Sequence, residues 1–177
     1  MSRGVPPTAT REFTGASMTA MATARPHPLT RDEFDRIYGK VPRLTVEVLV
    51  RTDKGILLTR RGIEPCRGFW HIPGGTVLFG ETLHDSVRRV ARNELDVDVE
   101  VGDQLGVIHY PHLLAAGYRG WPVGLVFATR IAAGSPSLTE QSEQIGFFRT
   151  LPHDVIPDQA EFLLSAGLAT AAGIGTR

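Results

Sequence analysis

The sequence predicts a mixed α/β fold (α+β), an α/β/α sandwich whose central sheet is mixed. Three observations predict it. Short apolar runs with strand-like alternation recur along the chain, amphipathic runs with capping residues stand among them, and the two kinds mix without strict βαβ alternation. The 177 residues are enough for one domain with a hydrophobic core, and no internal repeat or second domain is visible.

Residues 1–27, rich in Ala, Thr, Pro and Gly, predict a disordered leader, with Met18 or Met21 as a candidate start. The single domain is expected over residues 28–177. Its first element is a helix capped by Thr30, with Asp32 and Glu33 in the first turn and Phe34, Ile37 and Tyr38 on one face. Residues 44–50 alternate as a strand, and Asp53-Lys54-Gly55 turns the chain into a second strand at residues 56–58. A short strand at residues 70–72 ends at a Pro73-Gly74-Gly75 break. Residues 83–95 predict a helix with Leu83, Val87 and Ala91 along its buried stripe. Strands are expected at residues 99–101, 105–110, 122–131 and 145–148. The last helix is expected over residues 159–171, capped by Asp158.

Composition narrows the function. Lys plus Arg and Asp plus Glu are 19 each, so the chain lacks the basic excess of a protein that lives on a nucleic acid polymer. A small anionic ligand needs only a few local arginines. The single Cys66 excludes an internal disulfide and points to a reducing, cytoplasmic setting, where it serves as a small inert side chain. No apolar run approaches the roughly 20 residues of a membrane span.

The chemistry concentrates in Gly75-Thr-Val-Leu-Phe-Gly-Glu81, seven further residues, and Arg89-Val-Ala-Arg-Asn-Glu94-Leu-Asp-Val97. Carboxylates spaced three and four apart on a helix project from one face and make a hard oxygen cage for Mg²⁺ or Mn²⁺. Here that face reads Val90, Asn93, Glu94, with one strong ligand and one neutral amide. Gly74 and Gly75 let a main-chain carbonyl come close to an ion. The metal ligands expected are therefore Gly74, Asn93 and Glu94, around one tightly held ion. Glu81 is expected to orient Arg89 or to add charge.

This stretch resembles the Nudix box, and Gly68-Phe-Trp-His-Ile-Pro-Gly-Gly75 is similar to the strand that enters it. Gly75, Glu81, Arg89, Ala91, Glu94 and Val97 fall in register. Val90 and Asn93 stand in place of carboxylates, and Asp96 in place of a glycine. The resemblance implies a Nudix-type fold and a metal-dependent hydrolase that cleaves a nucleoside diphosphate linked to another moiety. The missing carboxylates resemble the GDP-mannose mannosyl hydrolase branch, in which one metal helps GDP leave while water attacks the sugar carbon. That likeness implies a diphosphate-binding role for Arg61, beside Arg60, and a metal-ligand role for Gln141. Ser142 and Thr76 depart from it, standing where the branch has its catalytic histidine and a second diphosphate-binding arginine.

Other candidates complete the list. His109, His112, Glu140 and Glu143 are possible activators of water, with His109 and Glu143 the leading pair beside Glu81 and Arg89. His71 is expected to pack within its strand. Tyr118 and Arg119, in the loop of residues 111–121, offer a stacking ring and a phosphate-binding cation. The substrate expected is a small nucleoside diphosphate conjugate such as GDP-mannose. Two alternatives are a pyrophosphohydrolase of a nucleotide or ADP-ribose-like compound, and a catalytically silent nucleotide-binding or regulatory domain. The helix near residues 29–41 offers a route to a homodimer.

Overall fold

Residues 45–50 are all buried, and the strand that contains them, β1 (Pro42–Thr52), is the spine of the sheet. The computed structural model describes residues 28–139 and 142–171. The expected leader, Glu140 and Gln141 lie outside the described residues.

β1 pairs antiparallel with β2 (Gly55–Arg61) and β4 (Gly74–Thr76), and parallel with β6 (Trp121–Ala133). β3 (Trp70–His71) and β7 (Ser142–Phe148) extend β2, and β5 (Asp98–His109) extends β6, all antiparallel. Among the described residues the result is a seven-stranded sheet, mixed as the sequence predicts. Both of its faces are covered. Val46, Val48, Val50 and Leu57 pack against Val87, Val90, Ala91 and Leu95 of α2 (Leu83–Leu95). On the other side Leu49, Ile56, Leu58, Ile108 and Tyr110 pack against Leu151, Val155 and Leu163, the last on α4 (Pro157–Ser165). A strand covered on both faces reads as a continuous buried run, and the alternation expected for residues 44–50 is an alternation between two cores.

α1 (Arg31–Tyr38) starts as expected, with Thr30 and Glu33 forming a reciprocal capping box. Four expectations need correction. The two strands expected at residues 99–101 and 105–110 are one strand, because register shifts absorb the polar interruption at Gly102-Asp103. The Gly74-Gly75 break is itself the short strand β4. The loop after Tyr110 begins with a short helix, α3 (Pro111–Ala115), which starts with proline at a position whose N–H has no helical partner to lose. α4 starts two residues earlier than expected, with Ile156 in the cap position, and ends at Ser165 instead of running to residue 171. Gly167 beyond it has φ +65°, a conformation that does not continue a helix.

Candidate active site

Alternation along β1 places Thr45 and Glu47 on the side away from the α2 core, next to the Gly74 end of β4. β4 has no room for side chains here. A methyl group on Gly74 would lie 2.0 Å from Glu47 Oε2, and one on Gly75 would lie 2.8 Å from Val90 Cγ2. From the helix side, Glu94 accepts a hydrogen bond from the Gly74 amide. Two carboxylates thus meet around one glycine.

Both are buried, and burial dominates their chemistry. It pushes Glu94 up to about 8, with Glu47 adding repulsion and Arg61 opposing it. It pushes Glu47 up to about 7, opposed by hydrogen bonds from Tyr110 and Thr45. Glu47 Oε1 accepts from the Tyr110 hydroxyl at 2.8 Å and from Thr45 Oγ1 at 3.1 Å, and Gln159 Nε2 donates to the same Tyr110 oxygen at 3.1 Å. The chamber around them measures about 760 Å³ and is bordered also by Arg61, Arg89, Asn93, Thr76 and Tyr118.

Glu81 acts on Arg89. Its Oε1 lies 2.6 Å from Arg89 Nε and its Oε2 2.8 Å from Nη2, while Ser86 Oγ and the Leu78 amide donate to Oε2. Arg89 also donates to the Thr76 carbonyl at 2.8 Å. This fork-to-fork pairing fixes the guanidinium at the chamber wall and holds the Glu81 carboxyl down near 2. Arg61, held by the Pro65 carbonyl at 2.7 Å, is the cation whose charge reaches Glu47, Glu94 and His71.

The structure brings Gly74, Asn93, Glu94, Arg61, Arg89 and Tyr118 to this chamber. It places the other candidates elsewhere. Arg60 alternates away from Arg61, donates to the Gly68 carbonyl at 2.8 Å and sits 3.4 Å from Asp154. His109 is exposed on β5, its side opposite to that of buried Ile108 and Tyr110. Glu143 pairs with Arg67 at 3.5 Å on the surface. Arg119 borders a second, larger chamber of about 1230 Å³, which shares Pro65, Cys66, Leu113, Tyr118 and Ile156 with the first. Gln141 lies outside the described residues, and Ser142 beside it is buried with its hydroxyl unpartnered among them. His71 packs within its strand as expected. Burial, with Arg61 nearby, holds it neutral down to about 3, and Thr59 Oγ1 lies 3.1 Å from its Nε2.

Sequence reasoning missed Glu47, Tyr110 and Arg43. The signal for Glu47 was an acid in mid-strand between Val46 and Val48, since a charged group almost never enters a sheet interior without a task. Tyr110, at the end of an expected strand and given no site role, is buried and donates to Glu47. Arg43 sits 5.2 Å from the Phe34 ring and 5.8 Å from the Tyr118 ring, a cation clamped by aromatics at the chamber's edge.

Comparisons with known proteins agree with this fold. The NUDIX domain model matches residues 41–163. The low-salt glycan biosynthesis protein Agl8 of Haloferax volcanii is 44% identical over 86 residues, which cover 47% of this chain and 55% of that protein. The ADP-ribose pyrophosphatase of Methanocaldococcus jannaschii is 29% identical over 107 residues, covering 60% and 62%. The chain thus spans a little over half the length of these relatives. Among solved structures, a MutT NUDIX hydrolase from Burkholderia pseudomallei superposes with a TM-score of 0.63 at 26% identity, over 73% of this chain and 99% of that one. The glycine-supported strand, the capped α2 helix and the family model that spans both lead to one conclusion: the chain belongs to the Nudix family.

Proposed function

We propose that the protein is a Mg²⁺- or Mn²⁺-dependent hydrolase of a nucleoside diphosphate joined to a second moiety, specifically a nucleotide sugar such as GDP-mannose. The observation that carries this reading is the meeting of buried Glu47 and Glu94 at Gly74, in a chamber also bordered by Arg61 and Arg89.

The residues fit a hard divalent ion. Two buried carboxylates with raised proton affinity are costly without a cation, and oxygen donors suit Mg²⁺ and Mn²⁺. Glu94, the Gly74 carbonyl, the Asn93 amide and Gln141 would hold it, with Glu47 opposite. The ion would neutralise charge that develops on the leaving diphosphate. Val90, 2% exposed and packed over Gly75, puts an apolar side chain where the box has a carboxylate, which supports a single ion. Among the described residues, no group of three or more His, Cys, Asp or Glu side chains is placed to hold a metal. Arg61 and Arg89 share the diphosphate charge, and Tyr118 offers a ring for the base or sugar.

The name of the Haloferax relative, a glycan biosynthesis protein, supports a sugar-linked substrate. The Methanocaldococcus relative, named an ADP-ribose pyrophosphatase, favours a second reading in which water attacks phosphorus instead of the sugar carbon. The balanced charge supports a small-molecule partner, and the lone Cys66 supports a cytoplasmic setting. Among the described residues no helix is long and apolar enough to cross a membrane.

The test is turnover of GDP-mannose and of ADP-ribose with Mg²⁺. Glu94→Gln keeps the shape of the side chain and removes the charge. It is expected to lower kcat by at least about 100-fold while the circular dichroism spectrum stays unchanged. Turnover of the variant at the wild-type rate overturns the ligand assignment. Nucleotide binding with Mg²⁺ but no cleavage of either compound favours the silent domain.

A further inference from the structure

The larger chamber holds an acid–imidazole pair that the proposed chemistry has not used. Asp158 is 4% exposed, and its Oδ1 lies 2.7 Å from Nδ1 of His112 and accepts the His112 backbone amide at 3.2 Å. Its Oδ2 is buried and has no partner among the described residues. The His112 ring is 57% exposed and borders the chamber, and its Nε2 makes no hydrogen bond there. The contact with Asp158 engages Nδ1 and leaves Nε2 as the ring nitrogen available to accept a proton. An imidazole oriented by a buried acid, with its second nitrogen open to a cavity, is the arrangement of a general base.

The other bases near the two chambers are committed or poorly matched. His71 is buried and bonded at both nitrogens, Glu81 is locked on Arg89, and Glu47 and Glu94 face the ion site. His109 and Glu143 border neither chamber. Glu64 borders both but is exposed, and no buried acid or other partner orients it among the described residues as Asp158 orients His112. The two chambers share a wall at Leu113, next to His112. Asp158 is followed by Gln159, which reaches Tyr110 and through it Glu47. The shared wall would let a conjugate with its diphosphate in the smaller chamber extend its second moiety into the larger one.

We propose that His112 is the general base of the reaction and Asp158 its positioning residue; this rests on the hydrolase reading above. Water oxygen forms a bond to the anomeric carbon as the bond from that carbon to the phosphate oxygen breaks. The electron pair of the broken bond leaves with the nucleoside diphosphate, and Nε2 of His112 takes the proton of the attacking water.

The experiment compares wild type, His112→Ala and Asp158→Asn on GDP-mannose with Mg²⁺. Mn²⁺ affinity is measured by electron paramagnetic resonance, and added imidazole is used as a rescue agent. The expected result for His112→Ala is a fall in kcat of about 100-fold or more with KM changed by less than about threefold. Mn²⁺ affinity stays unchanged and imidazole restores part of the rate. Asp158→Asn lowers kcat with the same KM and is not rescued. If His112→Ala turns over within about threefold of wild type, the proposal is overturned. It is overturned too if the variant loses kcat, KM and melting temperature together without rescue, because the pair then only ties α3 to α4. A wild type that binds Mn²⁺ and cleaves no conjugate overturns the hydrolase reading, and the base assignment with it; that pattern is distinct from an active enzyme indifferent to His112.

Discussion

At the scale of single residues, Glu81 just before α2 and Glu94 within it are two carboxylates with opposite chemistry. Glu81 gives both oxygens to Arg89 and sits near 2 in the folded chain, against an ordinary value of 4.5. Because its folded value is depressed, the pair stabilises the fold at any pH above about 4.5, and that contribution is lost as pH falls through about 2. The gap corresponds to up to roughly 3 kcal/mol at neutral pH. Glu81→Gln is therefore expected to lower unfolding free energy by about 2–3 kcal/mol at pH 7, measured by urea titration, with the difference from wild type shrinking at pH 2–3. A difference that does not change with pH places the stability of this corner elsewhere. Glu94, buried and raised, is poised to accept a cation. Mn²⁺ is expected to raise the melting temperature of wild type and to leave Glu94→Gln unmoved, as read by differential scanning calorimetry. An equal shift in both proteins contradicts the ligand role. Gly74→Ala sets a Cβ against Glu47 Oε2, and the same assay should show a large loss of the Mn²⁺ effect.

At the scale of elements, α2 was the most legible part of the chain. Its bounds and its buried side follow from the period of its apolar residues, and the structure adds a Thr82 cap that the sequence analysis did not name. The cap is closed by Thr82 Oγ1 accepting the Asp85 amide at 3.1 Å. Asp96 stands where the resembled box has glycine, and the structure shows why glycine is favoured there: φ 56°, ψ 39°, the left-handed cap. Aspartate tolerates that conformation at a cost. Asp96→Gly is expected to raise stability by about 0.5–1 kcal/mol, measured as a higher urea midpoint at unchanged slope. A lower midpoint would show that the 3.5 Å contact from Ser137 Oγ to Asp96 outweighs the strain. Elements set by long-range contacts were harder to read. β5 continues through Gly102-Asp103 because β6 offers it a bulged ladder, and nothing local announces that. Asp158 has the chemistry of a helix cap, but a residue 46 positions away in sequence claims its carboxylate.

At the scale of the molecule, the fold was legible because the motif spans a strand, a glycine turn and a helix, and that order admits few architectures. The site was half legible. Glu94, Asn93, Gly74, Arg61 and Arg89 come from one continuous stretch and its upstream strand, and the structure gathers them in one chamber. Glu47, Tyr110 and Gln159 come from three separate parts of the chain, and only folding reveals that they form one hydrogen-bonded chain. His109 and Arg60 were misplaced for the same reason: strand alternation decides which neighbour faces inward, and register is fixed by pairing partners far away in sequence. The buried acids, the fixed arginines and the double chamber support the proposed metal-assisted cut that releases an intact nucleoside diphosphate. Phosphorus NMR of GDP-mannose incubated with the protein and Mg²⁺ tests it most directly. GDP is the expected phosphorus-containing product, appearing only when the metal is present. GMP together with mannose 1-phosphate would contradict it, because water would then have attacked phosphorus.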